Sequence, residues 1–200
     1  MDDKNILHEN IKTMYPLLKE KIRTIEVISD NSLDLLLNSA RPKKLKKGDY
    51  LFAEGSICTN VYFVEKGLLR TFYNKDGKDI NLNFSLDNTF TTNLKSLQQK
   101  TPSEYAIQAC EESTILAFDK EELLKLYEQS SEINSFGRKL LELLLAEQEE
   151  HANLFKLYTP TERYHFLAEN KPELLQRISL SQLSSYIGIS RETVSRIRRR

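Results

Sequence analysis

The sequence predicts an α+β fold: flanking helices, a β-barrel or sandwich, one long helix and a small all-helical module. Three observations carry that reading. Residues 41–118 break into short β-branched and aromatic runs punctuated by glycines 48, 55, 67 and 77. Residues 131–158 hold an apolar stripe at helical spacing, and residues 178–200 place two helix starts on either side of Gly188.

The elements follow in order. Ile6, Leu7, Ile11, Met14 and Leu17 recur near a helical period, with Pro16 expected to break or kink the helix. Asp30 is expected to cap a short helix ending near Ala40. The runs YLFAEG, NVYFVEKG, LLRTFYNKDGK and INLNFSL then read as strands, with Asp76-Gly77 as a hairpin turn. Regularly spaced short strands of this kind suggest a sandwich or barrel. Asp119 is placed to cap a helix over DKEELLKLYEQ.

A longer helix follows from near Ser131 to about Tyr158. Ile133, Phe136, Leu140, Leu143, Leu144, Leu154 and Tyr158 form its stripe, and Leu141 and Leu145 sit on a second flank. The second flank is expected to meet a second subunit; the alternative is that it packs on the C-terminal module. Glu147 and His151, four residues apart on one face, are expected to pair for structure and not for catalysis. Thr159, Pro160 and Glu162 mark a new helix start and the domain boundary.

Composition bounds the function. The chain is 40% hydrophobic and 29% charged, ordinary for a soluble globular protein. Twenty-nine basic residues balance 29 acidic ones, so net charge identifies no partner. No run of about 18 apolar residues exists to span a membrane. The start MDDKNILHEN lacks a signal-like apolar stretch, and a cytoplasmic protein is expected. Cys58 and Cys110 make no metal or redox spacing and are expected to be reduced thiols. Residues 41–118 contain no histidine, which argues against a metal oxygenase on the barrel. No enzyme, metal or cofactor is expected.

The stretch ISLSQLSSYIGISRETVSRIRRR carries the chemistry. Ser179 with Gln182 forms a capping box opening a helix whose apolar positions are Leu180, Leu183, Tyr186 and Ile187. Gly188 supplies the turn and Ser190 caps a second helix from Arg191, which is a helix-turn-helix pattern. At about 100° per residue, Arg191, Glu192, Ser195 and Arg196 share one face opposite Val194 and Ile197. Arginine forks onto guanine and glutamate accepts from cytosine, so a glutamate among arginines favours base reading over charge attraction. The last ten residues carry five arginines against one glutamate. Arg198, Arg199 and Arg200 are assigned to phosphates together with Ser179 and Ser190 at the helix starts.

The segment Gly188-Ile189-Ser190-Arg191-Glu192-Thr193-Val194-Ser195-Arg196 resembles the recognition-helix signature of the Crp/Fnr family. KKLKKGDYLFAEG and VYFVEKGLLRTFY resemble early strands of that family's barrel, and the resemblance covers roughly residues 17–200. It implies a double-stranded β-helix, jelly-roll-like and of cyclic-nucleotide-binding type. It also implies a long dimer helix and a winged-helix-like module, here expected to lack most of the wing. By that match Arg191, Glu192 and Arg196 contact bases and Thr193 a phosphate. The implied organisation is a sensor domain over 1–130, a dimerisation helix over 131–158 and a DNA-binding domain over 159–200.

The departures are informative. Nucleotide-binding relatives hold the ribose with a glutamate and the cyclic phosphate with an arginine. Here the corresponding stretches read Phe90-Thr91-Thr92-Asn93 and Thr101-Pro102-Ser103-Glu104, with Pro102 at the arginine position and Glu104 expected to repel a phosphate. Cyclic AMP is therefore not the expected signal, and Thr91, Thr92, Asn93 and Ser103 are candidates for another effector's pocket. The chain lacks the four thiolates of an iron–sulfur centre, and His8, His151 and His165 show no haem-ligand context. The expected partners are double-stranded DNA, a second copy of the chain, an unidentified small-molecule effector and RNA polymerase. The competing reading is a ligand- or partner-binding sensor with a vestigial helix-turn-helix.

Overall fold

The computed structural model describes residues 15–198. The expectations at Ile6, Leu7, His8, Ile11, Met14, Arg199 and Arg200 lie outside that range.

Helix α1 (Pro16–Ile25) begins at the proline that was expected to break it. Pro16 takes the first helical position, where its missing N–H is not needed and its φ already suits a helix. The next two N–H groups, of Leu17 and Leu18, donate to the two carboxylate oxygens of buried Glu65, each at 3.0 Å. Burial pushes the Glu65 carboxyl up while those two donors pull it back down. Helix α2 (Asp30–Ser39) is capped by Ser29, whose side chain accepts from the N–H of Ser32. Asp30 is thus the first helical residue and not the cap, and its charge suits the positive end of the helix dipole.

Eight strands follow: β1 (Arg41–Leu45), β2 (Tyr50–Phe52), β3 (Asn60–Lys66), β4 (Leu69–Lys75), β5 (Lys78–Ser85), β6 (Thr89–Thr91), β7 (Ala106–Ala109) and β8 (Ser113–Asp119). A short helix, α3 (Leu94–Gln99), sits between β6 and β7. The strands form two four-stranded sheets, ordered β1-β8-β3-β6 and β2-β7-β4-β5, with antiparallel pairing throughout. Asp76 and Gly77 both have positive φ, 53° and 79°, as the two-residue β4–β5 turn requires.

Strand β3 shows how the core divides. Tyr62 and Val64 face the barrel interior with Leu69, Ile107 and Ile115. Phe63 faces the other way and packs with Phe90, Leu116, Phe136 and the leucines of α1 and α2. A strand covered on both faces reads as an apolar run without alternation.

Asp119 caps α4 (Lys120–Gln129), accepting from the N–H groups of Glu121 and Glu122. Helix α5 (Ser131–Leu157) then buries Ile133, Phe136, Leu140 and Leu154. Leu141 and Leu145 remain 45% and 55% exposed, so the C-terminal module does not cover that flank. Helices α6 (Pro160–Asn170), α7 (Pro172–Arg177), α8 (Leu180–Ile187) and α9 (Arg191–Arg198) complete the chain. Their core is shared with the barrel: Leu68 and Phe84 belong to the same cluster as Leu167, Leu183, Tyr186 and Val194.

The expected Glu147–His151 pair does not form. The His151 ring lies 4.9 Å from Phe155 and 5.8 Å from Tyr186, drawn to aromatic partners on the C-terminal side.

Glu65→Ala leaves two helix-end donors without their carboxylate and is expected to cost about 2–3 kcal/mol. Urea unfolding checks this, and a midpoint equal to the parent's removes Glu65 as the anchor of α1.

Candidate nucleic-acid interface

The helix-turn-helix forms from local signals. The Ser179 side chain accepts from the N–H of Gln182 at 3.2 Å, and the Gln182 side chain accepts from the N–H of Ser179 at 2.9 Å. Helix α8 therefore starts with a complete capping box, and the Ser179 hydroxyl keeps its hydrogen for another acceptor. Gly188 ends α8 at φ 77°, the left-handed conformation that turns the chain toward α9. Ser190 accepts from the N–H of Thr193 at 3.2 Å and so caps α9, with the Thr193 hydroxyl 3.1 Å away.

Helix α9 presents the face expected of it. Val194 is fully buried and Ile197 is half-buried, while Arg191, Glu192 and Arg196 are exposed. The Glu192 carboxyl is held below the usual carboxylate range by its own backbone N–H and the Ser190 hydroxyl. It is an anion at neutral pH, flanked by cations that can donate to base edges. Arg198 is exposed but donates to the carbonyl of Leu175 at 3.3 Å, which fixes the end of α9 to the module.

Two arginines that the sequence reading did not single out have structural positions. Arg163 donates to the carbonyls of Phe155, Tyr158 and Ile187, and its guanidinium lies 4.8 Å from the Phe155 ring. It thereby ties the end of α5 to the end of α8. Arg177 pairs with Asp87 and Glu111 of the barrel and with Glu173 on its own helix. Burial alone would raise the Asp87 carboxyl, but Arg177 and the N–H of Gly67 hold it below the usual range. Nothing in the local spacing announces the ties to Ile187, Glu111 and Asp87, because those partners lie 24, 66 and 90 positions away.

The four candidate effector residues divide. Thr91 and Thr92 line a cavity of about 500 Å³ between β5, β6, α5 and the start of α7. Asn93 and Ser103 are buried and bond to each other at 2.7 Å, and Asn93 also caps α3 through the N–H of Ser96. The Thr92 hydroxyl donates to the carbonyl of Asn60 at 2.8 Å. Glu104 is exposed and paired with Lys95. Among the described residues no cluster of His, Cys, Asp and Glu could hold a metal, and no helix is long and apolar enough to cross a membrane. Cys58 and Cys110 are free thiols.

A jelly-roll-like barrel, a long helix and a helix-turn-helix together define a class of protein, and comparison bears this out. Residues 42–130 match the cyclic nucleotide-binding domain. The chain is 28% identical over 179 residues to the transcriptional activator protein anr of Pseudomonas aeruginosa, covering 84% of this chain and 72% of that protein. It is 25% identical over 180 residues to the transcriptional activator protein FnrA of Stutzerimonas stutzeri, with the same coverage of 84% and 72%. Its fold resembles FixK2 from Bradyrhizobium japonicum, with a TM-score of 0.66, 23% identity and coverage of 80% of this chain and 83% of that one. It also resembles the Thermus thermophilus catabolite activator protein, with a TM-score of 0.57, 22% identity and coverage of 90% and 85%. Over residues 42–130 the chain is similar to the cyclic nucleotide-binding domain, and over most of its length it is similar to these transcriptional activators.

Tyr186 on α8 joins that domain to the helix-turn-helix. Its ring meets Phe84 of β5 edge-on at 5.3 Å, Phe155 of α5 at 5.8 Å and His151 in near-parallel stacking. His151 hydrogen-bonds the backbone of Leu82, while its Nε2 is buried without a partner. Burial, and next the Lys171 ammonium, lower its pKa from the ordinary 6.5. An imidazole that binds its proton more weakly when folded gives stability in full above about pH 6.5 and loses it as pH falls toward the lowered value. The parent is therefore expected to unfold at lower urea near pH 5.5 than near pH 7.5, and His151→Phe should remove that part of the difference. An unchanged pH dependence in the variant assigns the loss to other groups.

Proposed function

We propose that this chain is a sequence-specific DNA-binding transcription regulator that acts as a homodimer on an inverted-repeat operator and does not respond to cyclic AMP. The observation that carries the reading is the face of α9. Arg191, Glu192 and Arg196 are exposed together over a buried Val194. Such a face combines bidentate donors with an acceptor, as base-edge reading in the major groove demands. The relatives named as transcriptional activators support the same assignment.

Ser179, Ser190, Thr193 and Arg198–Arg200 contact phosphates in this reading and set the reader's register. The uncovered leucines of α5, Leu141 and Leu145, support residues 131–158 as the dimer helix. The sensor domain is then 1–130 and the DNA-binding domain 159–200. Two recognition helices related by a two-fold axis enter successive major grooves about 34 Å apart. The absence of an arginine and a glutamate at the cassette positions, with Asn93 and Ser103 bonded to each other, supports a signal other than cyclic AMP.

Selection of bound duplexes from a random pool tests the reading. An inverted repeat with half-sites one helical turn apart is expected, and Arg191→Ala should relax one position in each half and cost about 1–3 kcal/mol. Unaltered base preference in that variant removes Arg191 from the reading face. Deleting Arg198–Arg200 should weaken binding to every duplex and flatten its salt dependence; a slope equal to the parent's contradicts the phosphate assignment.

A further inference from the structure

We infer that the cavity between β5, β6, α5 and α7 is a binding site for an uncharged aromatic molecule that carries one N–H or O–H donor. The site stands independently of what α9 contacts.

The cavity has a volume of about 500 Å³, within the range of small-molecule sites. Asn93 and Ser103, at the cassette positions, do not line it and are bonded to each other. Its buried lining is apolar and rich in rings, with Phe84, Phe90, Leu154, Leu167 and Tyr186. Phe84 and Tyr186 already meet edge-on at 5.3 Å. Such walls favour another flat ring, which stacks or meets them by its edge.

Charge argues for a neutral ligand. The charged residues of the lining, Glu147, Glu150, Lys171 and Glu173, are all exposed, so they belong to the mouth and not to the floor. Glu173 is further engaged by Arg177. Burying a charge without a partner is costly, and the floor offers a charged ligand no counter-ion. At the mouth an anion meets Glu147 and Glu150, and a cation meets Lys171.

The polar requirement comes from His151, which lines the cavity. Its Nε2 is buried and has no partner, while the ring hydrogen-bonds the backbone of Leu82. Burial and the Lys171 ammonium favour the neutral ring. A neutral imidazole that gives its proton to a backbone carbonyl keeps a lone pair on the other nitrogen. An acceptor left unsatisfied in the interior is destabilising, and a donor brought to it removes that cost. The hydroxyls of Ser85, Thr91 and Tyr186 also line the cavity and make no hydrogen bond among the described residues. Hydroxyls can turn to donate or accept, whereas the imidazole lone pair only accepts. The fixed demand is therefore for a donor on the edge of the ligand ring.

The test uses the full chain and four two-ring probes. Indole supplies the ring and the N–H, benzothiophene keeps the shape without the donor, indole-3-acetate adds an anion and tryptamine a cation. The chain has no tryptophan, so indole emission reports binding directly and the other probes are read by its displacement. Indole should bind saturably with a Kd below about 1 mM. The other three should bind at least about tenfold more weakly, because a site with an unpaired acceptor rejects the analogue that cannot satisfy it. Amide resonances of Phe84, Leu86, Leu154 and Tyr186 should shift on adding indole. His151→Phe keeps a ring beside Tyr186 and should bring indole and benzothiophene to within about twofold of each other. No saturable indole binding, or shifts confined to other residues, overturns the site. Equal binding of indole and benzothiophene by the parent, or an unchanged preference in a folded His151→Phe, overturns the donor requirement. Tighter binding of either charged probe overturns the uncharged class.

Discussion

The position of Tyr186 governs what the C-terminal module can do. An eight-residue helix is too short to persist alone in water, so α8 exists because it buries one side. Its central ring is shared by Phe84 of the barrel and by His151 and Phe155 of the long helix. Aromatic pairs of this kind contribute about 0.5–1.5 kcal/mol each beyond the area they bury. Because α9 packs on α8, the orientation of the exposed face of Arg191, Glu192 and Arg196 follows from where that ring sits. A change in the barrel or in α5 that moves Phe84 or Phe155 is therefore transmitted to Arg191 and Arg196.

The arginines of the C-terminal quarter divide by environment into two kinds. Arg163 and Arg177 point into the protein and satisfy carbonyls or carboxylates, so their charge is spent on structure. Arg191 and Arg196 are exposed beside an ionised Glu192. A count of basic residues cannot separate these groups, since guanidinium chemistry suits both uses. What separates them is whether a fixed acceptor of the same chain lies within reach. In the barrel the same logic applies to Asn93 and Ser103, which look like ligand-binding groups in sequence and are engaged with each other in three dimensions.

Features written over three or four residues were legible. The caps at Asp119, Thr159, Ser179 and Ser190, and the turns at Asp76-Gly77 and Gly188, all form where local chemistry places them. So does the buried Val194 opposite the exposed Arg191. The errors were of two kinds. Asp30 was assigned the cap's place although Ser29 holds it, because a cap and the first helical residue favour overlapping residue types. Glu147 and His151 were paired by spacing alone, and the pair lost to Phe155, equally near on the same helix, and to Tyr186, far away in sequence.

The amino-acid sequence alone determined the order of the helical and strand-rich segments, several of the caps that start them, and the chemical character of α9, since these depend on neighbours a few bonds away. The tertiary structure alone decided that β5 ends its sheet with a bulge at Leu82, that Arg177 reaches Asp87 and Glu111, and that α8 lies against the barrel. Those contacts join residues 66 to 104 positions apart. Such pairings are set by how the sheets stack and where the long helix crosses them, and no short pattern along the chain records that geometry.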